Sequence, residues 1–330
     1  MEHAVAARDS RELEVVLENQ RRPLTGYCYR MLGSPFDAED AVQETMLRAW
    51  RAWERFHGDC AVRTWLYRIA TNVCLDSLAG RKRRALPFDM GPASPPDPAL
   101  LNTRPDETWL EPIPDSMIQG LDASDPADVA VARETVRLAF VAALQHLPPR
   151  QRAALILCEV LRWQATEAAE LLETSVASVN SALQRARARL AEANPGEQTR
   201  AEPLDRGQRE LLERYVSAFE RYDMSALTEL IQEDAVQSMP PFDMWLAGRE
   251  NIFSWWWGPG IGCRDSRVLP AGTANGSAAF GQYKPSETGP GREPWALQVV
   301  ELGSDGIAKL TFFLNTGPLF KLFGLPPRLD

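Results

Sequence analysis

The sequence contains few of the residues from which metal sites and disulfide frameworks are built. Of 330 residues only three are histidine and five are cysteine, the histidines lie far apart, and no CxxC pair occurs. This distribution argues against a histidine-rich zinc site and indicates reduced, structural cysteines in a cytoplasmic protein. No run approaches the roughly 20 apolar residues of a membrane-spanning helix, and acidic residues stand where a secretory signal would be apolar. We therefore expect no metal, no cofactor and no membrane contact, and the length predicts two or three domains.

An excess of positive charge is also missing, since the net charge is −9, yet the charges are grouped in blocks. Residues 48–84 carry nine basic side chains against three acidic ones, whereas residues 87–130 carry one base, Arg104, against nine acids. Nine of the 25 prolines also lie in residues 87–130. Because proline lacks the backbone donor and disfavours helix in the preceding residue, we predict that this segment is an acidic linker without packed elements.

Helical patterns lie on both sides of this segment. Ser34 followed by Pro35 predicts the start of a helix whose apolar residues recur at intervals of three and four. A second helix is predicted from residue 63 to residue 78, before the basic cluster Arg81–Arg84.

The segment LPPRQRAALILCEVL predicts an apolar helix, WQATEAAELL a short helix, and VASVNSALQRARARL a third helix that Ser175 caps. In the third helix one face is apolar and the opposite face is polar and basic; the apolar face consists of Val179, Leu183, Ala186 and Leu190. A short helix, a tight turn and such an amphipathic helix are typical of a helix-turn-helix. The spacing alone also allows a helical hairpin whose basic face is merely solvated.

Three stretches resemble a known family. SPFDAEDAVQETMLRAWRAWERF and FHGDCAVRTWLYRIATNVCLD resemble region 2 of the sigma-70 family, most closely that of the extracytoplasmic-function sigma factors. LPPRQRAALILCEV, EAAELL and VASVNSALQRARARL resemble region 4, and the acidic segment lies where the interdomain linker would be. EDAVQSMPPFDMWLAGRENI and FKLFGLPP resemble the SnoaL-like, ketosteroid-isomerase-like domain that some of these sigma factors carry.

The resemblance implies a multidomain chain with two all-α domains followed by an α+β, cone-shaped domain. The expected boundaries are region 2 at 1–86, the linker at 87–130, region 4 at 131–192 and the SnoaL-like domain at 205–330. The implied partners are core RNA polymerase and promoter DNA, and the C-terminal domain would contact the sigma regions and modulate them without being an enzyme. The alternatives are a stand-alone helix-turn-helix regulator with a ligand-binding domain, and a SnoaL-like enzyme fused to a DNA-binding module. An anti-sigma partner is not indicated either way.

The resemblance also assigns residues to three surfaces. The core polymerase surface comprises Asp37, Asp40, Gln43, Glu44, Leu47, Arg48 and Trp50. The surface that melts and holds the minus-ten element lies beside the loop 57–63 and comprises Arg63, Trp65, Arg68, Asn72, Arg81, Lys82, Arg83 and Arg84. The minus-thirty-five surface comprises Ser178, Asn180, Ser181, Gln184, Arg185 and Arg187. Trp53 is better explained as core, and Trp65 fits a core position and a DNA contact equally well.

Two features of region 4 depart from the family pattern. Glu173 stands in the turn where the family often has glycine, and a non-glycine residue in that conformation costs roughly 1 kcal/mol. Asn180 and Ala182 stand where the family often has basic side chains, so the promoter sequence cannot be transferred from relatives.

An apolar pocket is expected in the C-terminal domain. Its candidate lining residues are Met239, Phe253, Trp255, Trp256, Trp257 and Trp295. A ketosteroid-type reaction would need an acid or base with a shifted pKa inside it, and the available carboxylates are Asp234, Asp243 and Asp265. Because the run of three tryptophans is more typical of core and interface, we expect regulation or ligand sensing here and no catalytic residues.

Overall fold

A computed structural model describes residues 10–56, 58, 60–118, 132, 134–193, 204–287 and 289–330. These residues form two compact units. The first unit combines the described chain up to Arg84 with the described chain from Ser116 to Ala193, and the second combines Ala85–Asp115 with the described chain from Leu204 onward. Within these ranges no helix has both the length and the apolar character needed to cross a membrane. The same ranges contain no group of three or more potential metal ligands.

The N-terminal half of the first unit consists of three helices. They are α1 (Ser10–Leu32), α2 (Pro35–Ala52) and α3 (Val62–Leu78), with a 3₁₀ turn at Trp53–Arg55. Ser34 caps α2 as predicted, since its hydroxyl accepts a hydrogen bond from the Asp37 amide at 3.3 Å. Trp53 is 7% exposed, which confirms its interpretation as core.

Four helices have described bounds in the C-terminal half of the first unit. They are α4 (Leu138–Gln145), α5 (Pro149–Leu155) with a π-helical turn at Ile156–Val160, α6 (Ala165–Leu171) and α7 (Val176–Ala193). The predicted cap of α7 is present, because the Ser178 amide donates to Ser175 Oγ at 3.1 Å. Glu173 has a φ of 52°, so the turn keeps its left-handed conformation without glycine.

The second unit contains a mixed six-stranded sheet and four helices. The strands are β1 (Ile231–Ser238), β2 (Trp245–Ala247), β3 (Arg267–Ala274), β4 (Ser277–Pro285), β5 (Arg292–Leu302) and β6 (Ile307–Phe313), in the order β2-β1-β6-β5-β4-β3. Among the pairs of these described strands, β1 and β6 run parallel and the others antiparallel. The helices are α8 (Arg206–Arg221), α9 (Met224–Leu230), α10 (Arg249–Trp257) and α11 (Thr316–Leu322). Helical halves of the first unit, followed by this α+β unit, confirm the predicted fold class of all-α domains and an α+β domain.

Residues 85–115, hereafter the belt, correct the expectation of a linker without packed elements. Its apolar side chains are at most 3% exposed at five positions, Ala85, Leu86, Trp109, Leu110 and Ile113. The belt reaches from β2, where the Trp245 carbonyl accepts a hydrogen bond from the Ser94 amide at 2.8 Å, to the end of β3, where Pro114 bridges Ala274. Residues 119–130 of the predicted linker lie outside the described residues.

The belt is packed for a reason that proline content alone does not reveal. Its prolines exclude long helices, as predicted, but several of its backbone amides find acceptors within the second unit. The Ile113 amide donates to Asn275 Oδ1 at 2.9 Å, and the Arg104 amide donates to the Pro241 carbonyl at 3.0 Å. The Arg104 side chain also contributes, since its Nε donates to Asp243 Oδ2 at 2.9 Å. Burial of the apolar residues between the prolines then stabilises the extended chain against the sheet.

Candidate interfaces for polymerase, DNA and ligand

The exposed face of α2 carries the side chains predicted to dock on core polymerase. Leu47 is 51% exposed and Trp50 is 46% exposed, which are large values for apolar side chains. The polar members of this face are Asp40, Gln43, Glu44 and Arg48. Intervals of three and four place Gln43, Leu47 and Trp50 on one stripe of the helix. An exposed apolar stripe rimmed by polar residues is typical of a protein-binding surface.

Asp37 is engaged differently from the rest of this face. Its Oδ2 accepts hydrogen bonds from Arg84 at 2.9 Å and from Arg81 at 3.1 Å. The Arg84 side chain is only 10% exposed. The pairs therefore join a residue predicted for polymerase docking to two residues predicted for the minus-ten surface. Lys82, from the same basic cluster, is exposed.

Helix α3 carries the residues predicted to hold unpaired DNA. Asn72 is exposed on it. Trp65 is half-buried in a cluster of rings, with its centre 4.7 Å from that of Phe56 and 6.1 Å from that of Trp53. Trp65 therefore packs at the start of α3 while keeping part of its surface exposed. His57 and Asp59, from the predicted minus-ten loop, lie outside the described residues.

Three of the predicted minus-ten cations contact side chains from the C-terminal half of the first unit. The Arg63 guanidinium carbon lies 5.1 Å from the ring centre of Trp163. Arg68 Nη2 donates to Glu170 Oε1 at 3.3 Å, and Arg83 Nη1 lies 2.6 Å from His146 Nε2.

Helix α7 divides its side chains as the sequence predicts. Val179, Leu183 and Ala186 are at most 7% exposed, while the side chain of Leu190 lies outside the described residues. The exposed face contains all the predicted minus-thirty-five residues, Ser178, Asn180, Ser181, Gln184, Arg185 and Arg187. Arg187 contacts Glu159. The surface is thus polar and basic, with hydroxyl, amide and guanidinium donors suited to base edges and phosphates.

The second unit contains an aromatic cavity between the sheet, α8 and α10. Four predicted residues line it, namely Met239, Trp255, Trp256 and Trp295. Phe253 and Trp257 do not line it: Phe253 packs on Trp256 at 5.6 Å between ring centres, and Trp257 is 56% exposed. The space open to the centre of a water molecule is about 30 Å³. This is enough for about two waters.

Polar groups of the cavity differ from those that the sequence suggested. Gln237 Oε1 accepts a hydrogen bond from Trp256 Nε1 at 2.7 Å, and Tyr222 donates to the Trp256 carbonyl at 2.6 Å. Burial raises the pKa of the Cys263 thiol, against the opposing effect of the Lys284 ammonium. None of the three candidate carboxylates is in the described lining; Asp234 and Asp265 are exposed, and Asp243 pairs with Arg104.

Comparison with known proteins identifies both halves of the first unit. The Sigma-70 region 2 model matches residues 16–84, and the Sigma-70, region 4 model matches residues 137–190. The ECF RNA polymerase sigma factor SigG of Mycobacterium tuberculosis is 44% identical over 316 residues, which cover 94% of this chain and 83% of SigG. The chain belongs to the ECF RNA polymerase sigma factors.

This sigma-factor chain also matches a solved structure. The crystal structure of the Mycobacterium tuberculosis extracytoplasmic function sigma factor SigJ has a TM-score of 0.59 and covers 95% of this chain and 99% of that chain at 22% identity. In sequence, SigJ is 30% identical over 217 residues, 66% of this chain and 61% of SigJ. The shared fold therefore extends beyond regions 2 and 4 into the second unit.

Two features of the sigma factor were missed at the sequence level and were detectable in part. Gln237 stands two positions after the buried Ala235, so strand alternation places a polar side chain on the core face. Trp163 gave no such signal, because its contacts with Arg63 and Tyr67 join positions about 100 residues apart.

Proposed function

We propose that this sigma factor directs promoter-specific initiation by core RNA polymerase, with region 2 within residues 1–86 and region 4 within residues 131–192. The observation that best supports this proposal is that the first unit has three exposed surfaces, each with a different chemistry. The α2 stripe of Leu47 and Trp50 suits a protein partner. The Asn72 side of α3 and the polar face of α7 suit DNA. An ordinary regulator has no need for the first of these, and the proposed site of action is the cytoplasm, where transcription occurs.

The decisive test is run-off transcription with core polymerase on a library of promoter-like templates, with and without the full chain. Specific products that require both proteins support the proposal. Tight, sequence-specific duplex binding by the isolated chain, with no retention on immobilised core polymerase, would instead support the stand-alone regulator.

Region 4 offers a test of how the minus-thirty-five element is read. Arg185 is exposed on α7 and is suited to a bidentate contact with guanine or a contact with phosphate. In the first case Arg185→Ala lowers affinity by about 1–3 kcal/mol at one base position. In the second case the loss is uniform, and the log–log salt slope falls by roughly 0.9. Arg206→Ala is a matched control, because Arg206 is an exposed helical arginine of the second unit.

We further propose that the second unit modulates initiation through the belt. The belt is 31 residues long, from Ala85 to Asp115, and an extended chain of that length spans at most roughly 110 Å. While docked, Ala85 pairs with Trp109, six residues before Asp115, so the two ends of the belt lie within roughly 27 Å of each other. Promoter elements 25 positions apart are separated by roughly 85 Å of B-DNA. Docking of the belt therefore shortens this part of the linker between regions 2 and 4, and we expect its release to raise promoter occupancy.

Truncation after Pro203 is a poor test of this mechanism, because it removes the sheet that covers Trp109, Leu110 and Ile113. Trp109→Ala in the full chain weakens docking while the sheet stays in place. We expect more run-off product from this variant, and increased protease cleavage within residues 85–115. Equal transcription despite increased cleavage would contradict the modulatory role.

The second unit is proposed to act without catalysis. The described lining of its cavity offers a thiol, a phenol and an amide, but no carboxylate or imidazole. A ketosteroid-type reaction uses a carboxylate as its general base. Turnover of a conjugated ketosteroid by the full chain would contradict this proposal.

A further inference from the structure

Trp163 lies where the two halves of the first unit meet. It follows the π-helical turn Ile156–Val160 and is 8% exposed. Its ring centre lies 5.2 Å from that of Tyr67. The Arg63 guanidinium carbon lies 5.1 Å from the Trp163 ring and 5.7 Å from the Tyr67 ring. The indole from region 4 therefore occupies a site on α3 formed by one cation and one aromatic ring.

A cation beside an aromatic face is the arrangement by which proteins hold unstacked bases. Arg63 is among the residues proposed to hold the melted minus-ten element, and Tyr67 is one helical turn further along α3. An indole is flat, aromatic and similar in size to a purine. It satisfies the same stacking and cation–π interactions that an unpaired base would make at this position.

Other contacts from region 4 meet the cations that surround this site. Glu170 accepts a hydrogen bond from Arg68 at 3.3 Å. The His146 ring nitrogen Nε2 lies 2.6 Å from Arg83 Nη1. Both arginines belong to the predicted minus-ten surface, so a carboxylate and an imidazole stand where promoter DNA would be expected. The occlusion thus extends from the base site to its flanking cations.

Two buried arginines hold the halves together through neutral acceptors. Arg30 Nε donates to the Thr135 carbonyl at 2.9 Å, and Arg152 donates to the Met31 carbonyl. Burial lowers the pKa of each guanidinium to about 10. Neither pairs with a carboxylate within the described part of the chain. Burying a cation without an opposite charge is costly, so these contacts orient the halves without locking them together.

Unsatisfied polar atoms mark the same contact. Trp163 Nε1, Arg68 Nε and Arg152 Nε are buried, and no described residue accepts a hydrogen bond from them. A buried donor without an acceptor destabilises the state that buries it. The contact between the halves is therefore specific in geometry and incomplete in hydrogen bonding, as expected of a surface that exchanges one partner for another.

We propose that the free sigma factor is autoinhibited by base mimicry: Trp163 of region 4 fills the Arg63–Tyr67 site on α3, and an unpaired promoter base replaces it when the two regions separate. This inference rests on the proposed function, because the displaced ligand is the melted minus-ten strand. Separation also releases Arg68 and Arg83 toward the DNA backbone.

Binding of single-stranded DNA by the full chain tests the proposal directly. The probe is fluorescein-labelled oligothymidylate, followed by anisotropy, because stacking tolerates any base. Trp163→Ala is expected to bind about tenfold more tightly than the parent, which corresponds to the loss of one stacking partner. Thr166→Ala, at an exposed position of α6, is the matched control and should leave affinity unchanged. In Trp163→Ala/Arg63→Ala the gain should disappear, because the indole and the base compete for the same guanidinium.

A second variant keeps the test valid if Trp163→Ala unfolds region 4. Glu170→Gln removes the partner of Arg68 at an exposed position and should raise affinity two- to threefold, more than the charge-matched Glu173→Gln. Unchanged affinity in Trp163→Ala and Glu170→Gln, with folding intact, overturns the autoinhibition. A gain that persists without Arg63 overturns the mimicry. Run-off transcription by the parent distinguishes these outcomes from failure of the proposed function. If the parent gives no specific product with core polymerase, the proposed function and the autoinhibition both fail. If it gives that product, the affinity results bear on the autoinhibition alone.

Discussion

Two interior contacts, one from each unit, treat buried polar groups in opposite ways. In the second unit a chain of hydrogen bonds is complete: Tyr215 donates to Gln298 at 2.9 Å, Gln298 to Gln282 at 3.0 Å, and Gln282 to Ser266 at 2.9 Å. In the first unit, the contact between regions 2 and 4 buries arginines against neutral carbonyls and leaves donors unsatisfied. A satisfied network favours one packing, whereas an unsatisfied contact lowers the cost of separation.

The two units also differ in their surfaces. The first unit exposes Leu47 and Trp50 on α2 and a polar face on α7. The second unit covers part of its sheet with the belt and with α11, where Leu325 beyond the helix packs on Gly281. Its most exposed large apolar side chain, Trp257, is the last residue of α10 and not part of the sheet. We infer that the first unit is built to change partners and that the second is built to keep its shape while it holds or releases the belt.

The largest expected effect comes from breaking the complete chain in the second unit. Gln298→Leu leaves the Tyr215 hydroxyl and Gln282 Oε1 buried without their partner, and we expect a loss of about 3 kcal/mol in the free energy of unfolding. Urea unfolding of the full chain, followed through the second unit's transition, measures it. The double variant Tyr215→Phe/Gln298→Leu also removes the unpaired Tyr215 hydroxyl, and its free energy of unfolding should be about 1 kcal/mol higher than that of Gln298→Leu. An unchanged urea midpoint for Gln298→Leu would show that this series of hydrogen bonds does not stabilise the second unit.

A smaller effect is expected at the surface of the first unit, where it should appear in binding alone. Trp50→Ala removes an exposed apolar side chain of the type that dominates protein interfaces, and affinity for core polymerase should fall by about tenfold or more. The free energy of unfolding should stay within about 0.5 kcal/mol of the parent. Val15→Ala is the matched control, because Val15 is 62% exposed on α1 and outside the proposed interface. If Trp50→Ala and Val15→Ala lose the same amount of affinity for core polymerase, α2 is not the docking surface.

Raising the pH above 10 should change the stability of the two units by different amounts. Burial raises the pKa of Tyr67 in the first unit and of Tyr283 in the second to about 12, above the ordinary 10.0. A raised folded pKa contributes stability that is complete below pH 10 and is lost between pH 10 and pH 12. In the first unit the lowered pKa of Arg30 and Arg152, about 10, acts in the opposite direction over the same range.

The second unit should therefore lose more stability than the first when the pH is raised toward 11 or 12. Urea midpoints of the two transitions at successive pH values, with tyrosinate absorbance recorded in parallel, check this. Parallel loss in both units would mean that the buried guanidiniums do not offset the phenols.

Most of the helical architecture was accessible from sequence because its signals are local. Ser34 and Pro35 mark the start of α2, and the spacing of Val179, Leu183 and Ala186 divides α7 into a buried and an exposed face. The belt was not accessible, because its packing depends on partners such as Asn275, more than 150 residues away. The pairing of Asp37 with Arg84, and the position of Trp163, are likewise products of tertiary structure that no periodicity encodes.

The smallest expected effect concerns the turn of the helix-turn-helix. Glu173 has a φ of 52°, a left-handed conformation that costs a non-glycine residue roughly 1–2 kcal/mol. Replacement by glycine would remove this cost, but glycine also raises the conformational entropy of the unfolded chain, which offsets part of the gain in stability. Glu173→Gly should therefore stabilise the first unit by about 0.5–1 kcal/mol in thermal or urea unfolding. Thr166→Gly, inside α6, should have the opposite sign, because a helical glycine costs about 1 kcal/mol. The second unit's transition should not move in either variant, since both positions lie in the first unit. Destabilisation by Glu173→Gly would show that the Glu173 side chain contributes more than its backbone strain costs.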